Sequence, residues 1–221
     1  MMDVKAVIFD MDGVIIDSEG LWRQAQKAAL AGWRAEVSDE ECESLTKGKR
    51  LDEIARTWCE YCKLEADPEM IEAAIRLRII ELIGREGKAI EGIYDVMSYF
   101  REAGYRIALA TSSSHEIVHA VLKKLRMGHY FEVICSADDE RYGKPHPAVY
   151  LSALRKLGLT ASQCIVIEDS QSGYRAALSA GLKTLIVSPA CHHASFNNAS
   201  GRYASMHALL EKFAVPAPEA G

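Results

Sequence analysis

Five short apolar runs set the rhythm of this chain: residues 4–9 (VKAVIF), 106–110 (RIALA), 132–135 (EVIC), 164–167 (CIVI) and 184–187 (TLIV). Apart from Lys5, Arg106, Glu132 and Thr184 they are apolar, with no sustained polar alternation. Such runs read as strands buried on both faces of a sheet. Between them the spacing turns helical, over residues 93–103, 116–125, 147–157 and 172–180. Gly104, Gly158 and Gly181 sit where three of these helices must stop, at positions that want a left-handed residue. Strands alternating with helices of this length predict parallel pairing through crossover connections. The expected fold is α/β, a doubly wound, Rossmann-like parallel sheet with its site at the carboxyl ends of the strands.

One stretch departs from that rhythm. From residue 17 to 87 the periodicity is helical and no strand is evident. Leu21, Ala25, Ala28 and Ala29 share one face, as do Leu51, Ile54, Ala55 and Trp58, and later Met70, Ile71, Ala74, Ile75, Leu77 and Leu82. The expected organisation is a core made of residues 1–16 and 88–215, with a small all-helical cap, 17–87, inserted after the first strand. Hinges are expected near 15–20 and 86–92, so that the cap acts as a lid. Residues 216–221 are expected to form a disordered tail.

Composition narrows the class. Of 221 residues 49% are hydrophobic and 26% charged, the mix of a soluble globular protein. No apolar run approaches the roughly 20 residues that span a bilayer. The sequence passes from Met1-Met2-Asp3 straight into a strand, without the segments of a secretory signal. Six cysteines without framework spacing fit reduced thiols, and a cytoplasmic location is expected. A formal charge of −5 argues against nucleic acid or an anionic membrane as partner. The expected partner is a small molecule, and a monomer is expected.

Candidate chemistry follows the strands. Phe9-Asp10-Met11-Asp12-Gly13-Val14 puts two alternating acids at the end of the first run. Charge in such a place needs a partner, and Mg²⁺, which takes hard oxygen ligands, is a natural one. Asp-Gly is also common in solvated turns, which is the plain alternative. Ala110-Thr111-Ser112-Ser113-Ser114 offers hydroxyls and free N–H groups at a helix start, suited to phosphate or to simple capping. Gly143-Lys144-Pro145-His146-Pro147 places one lysine in a proline-bounded loop, for an anion or merely for solvent. Ile167-Glu168-Asp169-Ser170 ends another strand in adjacent acids, which either complete a metal site or cap a helix. In a doubly wound sheet these four ends converge on one crevice.

The ordered set, DxDGV, strand-TSS, GKPHP and hhhEDS, resembles the haloacid dehalogenase superfamily over residues 5–187. The helical insert resembles the subgroup containing β-phosphoglucomutase and the sugar-phosphate phosphatases. Asp17-Ser18-Glu19 and Leu21-Trp22 are most similar to hexose-phosphate (2-deoxyglucose-6-phosphate) phosphatases. The resemblance implies that Asp10 is the nucleophile and Asp12 the general acid and base. It implies that Thr111 and the Ser112 backbone hold the phosphate and that Lys144 bridges phosphate and Asp10. Asp10, the Asp12 carbonyl oxygen and Asp169 would bind Mg²⁺, with Glu168 close by or bound through water. The implied activity is a Mg²⁺-dependent phosphatase of a small phosphorylated metabolite, a sugar phosphate, acting through an aspartyl-phosphate. The dehalogenating and phosphonate-cleaving members lack an acid where Asp12 stands.

In the expected cap, Lys47-Gly48-Lys49-Arg50 is a basic turn, and Arg50 is expected to meet the distal part of the substrate. An exposed basic turn is the plain alternative. β-Phosphoglucomutase-like mutases carry a lid histidine at the position held here by Trp22, so a phosphatase is expected and a phosphosugar mutase is the alternative. A non-catalytic phosphosugar sensor is a third reading. Gly20 stands where this subgroup often has proline. Cys59 and Cys62, His115 and His119, and Cys191-His192-His193 are read as structural rather than metal-binding.

Overall fold

A computed structural model describes residues 4–214. The expected tail, 216–221, lies outside the described residues. Among these residues, six parallel strands form one sheet in the order β3-β2-β1-β4-β5-β6. They are β1 (Ala6–Phe9), β2 (Arg106–Ala110), β3 (Val133–Cys135), β4 (Cys164–Glu168), β5 (Lys183–Val187) and β6 (Gly201–Tyr203). Side chains alternate across the sheet. Val7, Phe9, Leu109 and Ile167 enter one apolar cluster, and Ala6, Ile8, Ala108 and Val166 enter a second on the opposite face. Helices α5 (Ile93–Glu102), α6 (His115–Leu125) and α9 (Met206–Ala214) contribute to the first cluster, α7 (Ala148–Leu157) and α8 (Gln171–Ser179) to the second. The fold is the α/β, doubly wound architecture the apolar runs predict.

The register places the site. Phe9 is aligned with Leu109 on one side and with Ile167 on the other. The residues just past these pairs, Asp10, Ala110 with Thr111, and Glu168 with Asp169, therefore leave the sheet side by side. The sixth strand was not expected. Gly201-Arg202-Tyr203 is three residues long, carries a glycine and an arginine, and pairs only with β5, so no apolar run announces it.

Ahead of α5, four helices follow β1: α1 (Glu19–Leu30), α2 (Asp39–Thr46), α3 (Leu51–Tyr61) and α4 (Pro68–Glu86). Asp67 caps α4 by accepting from Glu69 N, with Pro68 at its first position. Ser38 and Glu41 form a reciprocal capping box on α2. Ile71, Ile75, Ile79 and Ile83 make a buried stripe along α4 at steps of four. This stripe belongs to the same apolar cluster as Phe9 and Val118, so the insert and one face of the sheet share a continuous core. The two connections run together: Ile90 N donates to Ile15 O at 2.9 Å and Asp17 N to Lys88 O at 2.9 Å.

Candidate active site

The loop after β1 turns sharply at Gly13, whose φ is +78°. A Cβ there would lie 2.4 Å from Asp169 Oδ2, so glycine is required both for the turn and for the approach of Asp169. The turn leaves Asp10 at the end of the strand, where its N–H donates to Ile167 O at 3.0 Å.

Lys144 reaches this point from the loop before α7 and is only 7% exposed. Its ammonium donates to Asp10 Oδ1 at 2.7 Å, Glu168 Oε1 at 2.7 Å and Ala110 O at 3.1 Å. Three acceptors match its three protons. Glu168 is fully buried and accepts five hydrogen bonds, from Lys144, the Tyr150 hydroxyl, Asp169 N, Ser170 N and Ser170 Oγ. Its seat exists because residue 173, inside α8, is glycine: a Cβ there would fall 1.6 Å from Glu168 Oε1.

Charge is unbalanced here. Oxygens of Asp10, Glu168 and Asp169 lie within 4.8 Å of one another, against one lysine. Burial, then Glu168, pushes the Asp10 carboxyl up to about 7, against the pull of Lys144. Burial, then Glu168 and Asp10, lifts Asp169 well above the carboxylate range. Burial also opposes the charge on Glu168, but Lys144 and the surrounding donors outweigh it and hold this carboxyl low. Burial likewise opposes the charge on Lys144, which Asp10 and Glu168 outweigh, keeping it protonated. An excess of buried negative charge on oxygen ligands fits a hard divalent cation such as Mg²⁺. Among the described residues this is the one group of three acidic, His or Cys side chains close enough to share an ion.

Asp12 has different neighbours. Its Oδ1 accepts from Ser18 Oγ at 2.6 Å and from Trp22 Nε1 at 2.8 Å, and its Oδ2 from Ser113 Oγ at 2.9 Å. The Asp12 carboxylate is not part of the acidic trio. Two acids two residues apart thus sit in contrasting surroundings, Asp10 on an ammonium and Asp12 on three neutral donors.

The segment after β2 divides its tasks. Ser114 caps α6 by accepting from Ile117 N, Ser113 serves Asp12, and Thr111 Oγ1 accepts from Ser113 N at 3.1 Å. Ser112 Oγ is buried without a hydrogen-bond partner. A buried hydroxyl left unpaired costs free energy unless a ligand satisfies it. It lines the same cavity as Asp10, Asp12, Thr111, Lys144 and Asp169.

The insert roofs this cavity with Trp22, Gln26, Glu43, Lys47 and Lys49. Gln26 is fixed from behind, its Oε1 accepting from Trp58 Nε1 at 2.7 Å and Thr46 Oγ1 at 3.0 Å. Arg50 corrects an expectation. It does not line the cavity. Its Nη1 donates to Glu140 O at 2.6 Å and its Nε to Asp52 Oδ1 at 3.2 Å, so the guanidinium is committed to a seam between insert and core. The cations of the insert that do line the cavity are Arg23, 3.6 Å from Asp39, Lys47, ion-paired with Glu19, and Lys49, which donates to Thr57 Oγ1 at 3.0 Å.

Ser18, Ser113, Tyr150 and Gly173 were not singled out as site residues. Gly173 had a readable signal, a glycine inside a helical pattern. Tyr150 had none, since a tyrosine on the buried face of a helix is ordinary core.

A parallel sheet with an aspartate, a lysine and an acidic pair at its carboxyl edge, roofed by helices inserted after β1, defines a hydrolase-type α/β site. The chain belongs to the haloacid dehalogenase-like hydrolase family, whose profile matches residues 7–187. It is 31% identical over 188 residues to hexitol phosphatase B of Escherichia coli, covering 83% of each chain. Its fold is similar to that of CbbY from Rhodobacter sphaeroides in complex with phosphate, with a TM-score of 0.85 and 29% identity, over 93% of this chain and 96% of that one. A mutant of the same CbbY in complex with xylulose-(1,5)bisphosphate has a TM-score of 0.85 and 27% identity, over 92% and 95%.

Proposed function

We propose that this chain is a Mg²⁺-dependent phosphatase of a small phosphorylated sugar, acting through an aspartyl-phosphate on Asp10. The observation that carries the reading is the Asp10–Lys144 pair, which shares one cavity with the unpartnered Ser112 hydroxyl. Hexitol phosphatase B and the bisphosphate-bound CbbY support the substrate class. Cysteines that are all free support a reducing, cytoplasmic setting.

Each residue then has a task. Thr111, Ser112 and Lys144 hold the phosphate oxygens, Lys144 offsetting negative charge on both phosphate and nucleophile. An oxygen of Asp10 attacks phosphorus as the ester P–O bond breaks. Asp12 gives its proton to the departing alkoxide. Asp12, now a carboxylate, takes a proton from water, whose oxygen attacks the phosphorus of aspartyl-phosphate and releases phosphate and free Asp10. Asp10, Asp169 and the Asp12 carbonyl would hold Mg²⁺, with Glu168 behind them. When bound, the ion supplies positive charge that lowers the repulsion between an anionic ester and a carboxylate.

Trp22 favours hydrolysis over mutase chemistry. Its indole meets Asp12 where a mutase carries a histidine, and an indole N–H donates but cannot relay a proton. The test is phosphate release with Mg²⁺ from a panel of hexose, hexitol, pentose and deoxysugar phosphates, with phosphoglycolate and nucleotides as controls. The expected result is turnover of at least one sugar or hexitol phosphate, abolished by EDTA. No release from any member, in an assay that detects a known phosphatase, overturns the reading. Interconversion of sugar 1- and 6-phosphates would instead establish the mutase, and stabilisation by ligand without turnover the sensor.

A further inference from the structure

We infer that Arg50 is a positioning residue for Lys144, coupling the seating of the helical insert to the placement of the catalytic ammonium; this rests on the phosphatase reading above. Arg50 stands just before α3, at the end of the basic turn 47–50. Its Nη1 donates to Glu140 O at 2.6 Å, at the start of the loop that carries Lys144. Its aliphatic stem lies on Gly143, the residue before Lys144: a Cβ at 143 would come 2.4 Å from Arg50 Cδ and 2.7 Å from Cγ. A bare backbone at 143 is what admits the stem. Asp52 accepts from Arg50 Nε, and Glu53 accepts from Arg50 N at 3.1 Å, so the side chain is aimed from its own helix. On the other side of the same turn, a Cβ at Gly48 (φ +75°) would be in ordinary contact with the core, 3.5 Å from Ser172 Cβ. The turn thus faces the core at two places, the loop 140–144 and the start of α8 at Ser170 and Ser172.

A guanidinium placed this way does not read substrate; it fixes the loop from which Lys144 reaches Asp10 and Glu168. Its planar fork holds a carbonyl and a carboxylate at once, which a lysine does only in part. Displacing Lys144 by an ångström is enough to slow the reaction strongly.

The experiment compares Arg50→Ala, Gly143→Ala, their double variant and Arg50→Lys on p-nitrophenyl phosphate and on the best sugar phosphate of the panel, with Mg²⁺. Positioning requires kcat to fall about ten- to a hundredfold on both esters in each single variant. Any rise in KM should be shared by both esters, the double variant should be no worse than the deeper single, and Arg50→Lys should recover part of the rate. A rise in KM confined to the sugar ester, additive losses, or an unchanged kcat overturns the inference. Hydrogen exchange supplies a readout apart from turnover: amides of residues 140–146 must exchange faster in Arg50→Ala and Gly143→Ala while those of the central strands do not, and unchanged exchange at 140–146 also overturns it. If the wild type hydrolyses no ester, the phosphatase reading fails by itself, and exchange still decides whether Arg50 holds the loop. If Arg50→Ala fails to fold, Arg50→Gln takes its place in every arm.

Discussion

The floor and the roof of the cavity are built by opposite rules. The floor is made of charges that are nearly dry. Lys144, Asp10 and Glu168 are buried, tied to one another at 2.7 Å, and seated by glycines at 13 and 173 that leave no room for a side chain. The roof carries its charges wet. Lys47 and Glu19 pair with side chains over 40% exposed. A dry ionic group is costly to assemble and severe to break, whereas a wet one is adjustable and contributes little to stability. The difference teaches where chemistry and choice reside. On the function proposed above, the floor acts on the phosphate and the roof meets the rest of the molecule that carries it.

The largest effect expected is on the floor. Asp10→Asn removes the attacking oxyanion and should abolish turnover of every ester, a loss of about 10⁴-fold or more, with the fold retained. Lys144→Ala should lose both rate and phosphate affinity, and should also destabilise by about 3–5 kcal/mol, since it leaves two buried carboxylates without their cation. Initial rates and urea melts check both. Near-normal activity in Asp10→Asn would remove it as nucleophile.

Next comes Gly173→Ala, beside Glu168. A methyl group has no space beside Glu168, so the variant should melt earlier by about 1–3 kcal/mol and lose Mg²⁺ affinity in calorimetry. A variant as stable as the parent would show that the floor is looser than its geometry indicates.

Acidity sharpens the contrast further. Asp10, ordinarily at 3.8, is lifted to about 7 by burial and Glu168, and Asp169 is raised as well. The metal-free native state thus keeps protons that the unfolded chain has released. That contribution to stability is full below about pH 4 and is lost as pH rises towards 7. Mg²⁺ competes with those protons, so the stabilisation it gives should grow over the same interval. Thermal melts with EDTA and with Mg²⁺ from pH 5 to pH 8 should diverge as pH rises. A constant gap would mean that the cation binds elsewhere.

The smallest effect is expected on the roof. Lys49→Ala should change the ranking of sugar phosphates by about tenfold or less while leaving p-nitrophenyl phosphate within about twofold. A roof lysine that slows the bare ester as deeply as Lys144→Ala would break the division between floor and roof.

The sequence by itself determined five of the six strands, because strands buried on both faces must be apolar throughout and so stand out from everything around them. It also located the four segments that meet at the site, since in a parallel sheet whatever follows a strand arrives at the same edge. The tertiary structure decided what each polar side chain faces. Arg50 looked like a hand for substrate, and its guanidinium donates to Glu140 O while its stem lies on Gly143. Trp22 looked like a missing histidine and is a donor to Asp12. Tyr150, which gave no sign of itself, and Gly173, marked only as a glycine inside a helix, make the seat for Glu168. The physical reason is range. Hydrophobic periodicity is written in neighbouring residues, but the partner of a charge is chosen by distances of 2.7 Å between residues as far apart as Asp10 and Lys144, which only the folded chain sets.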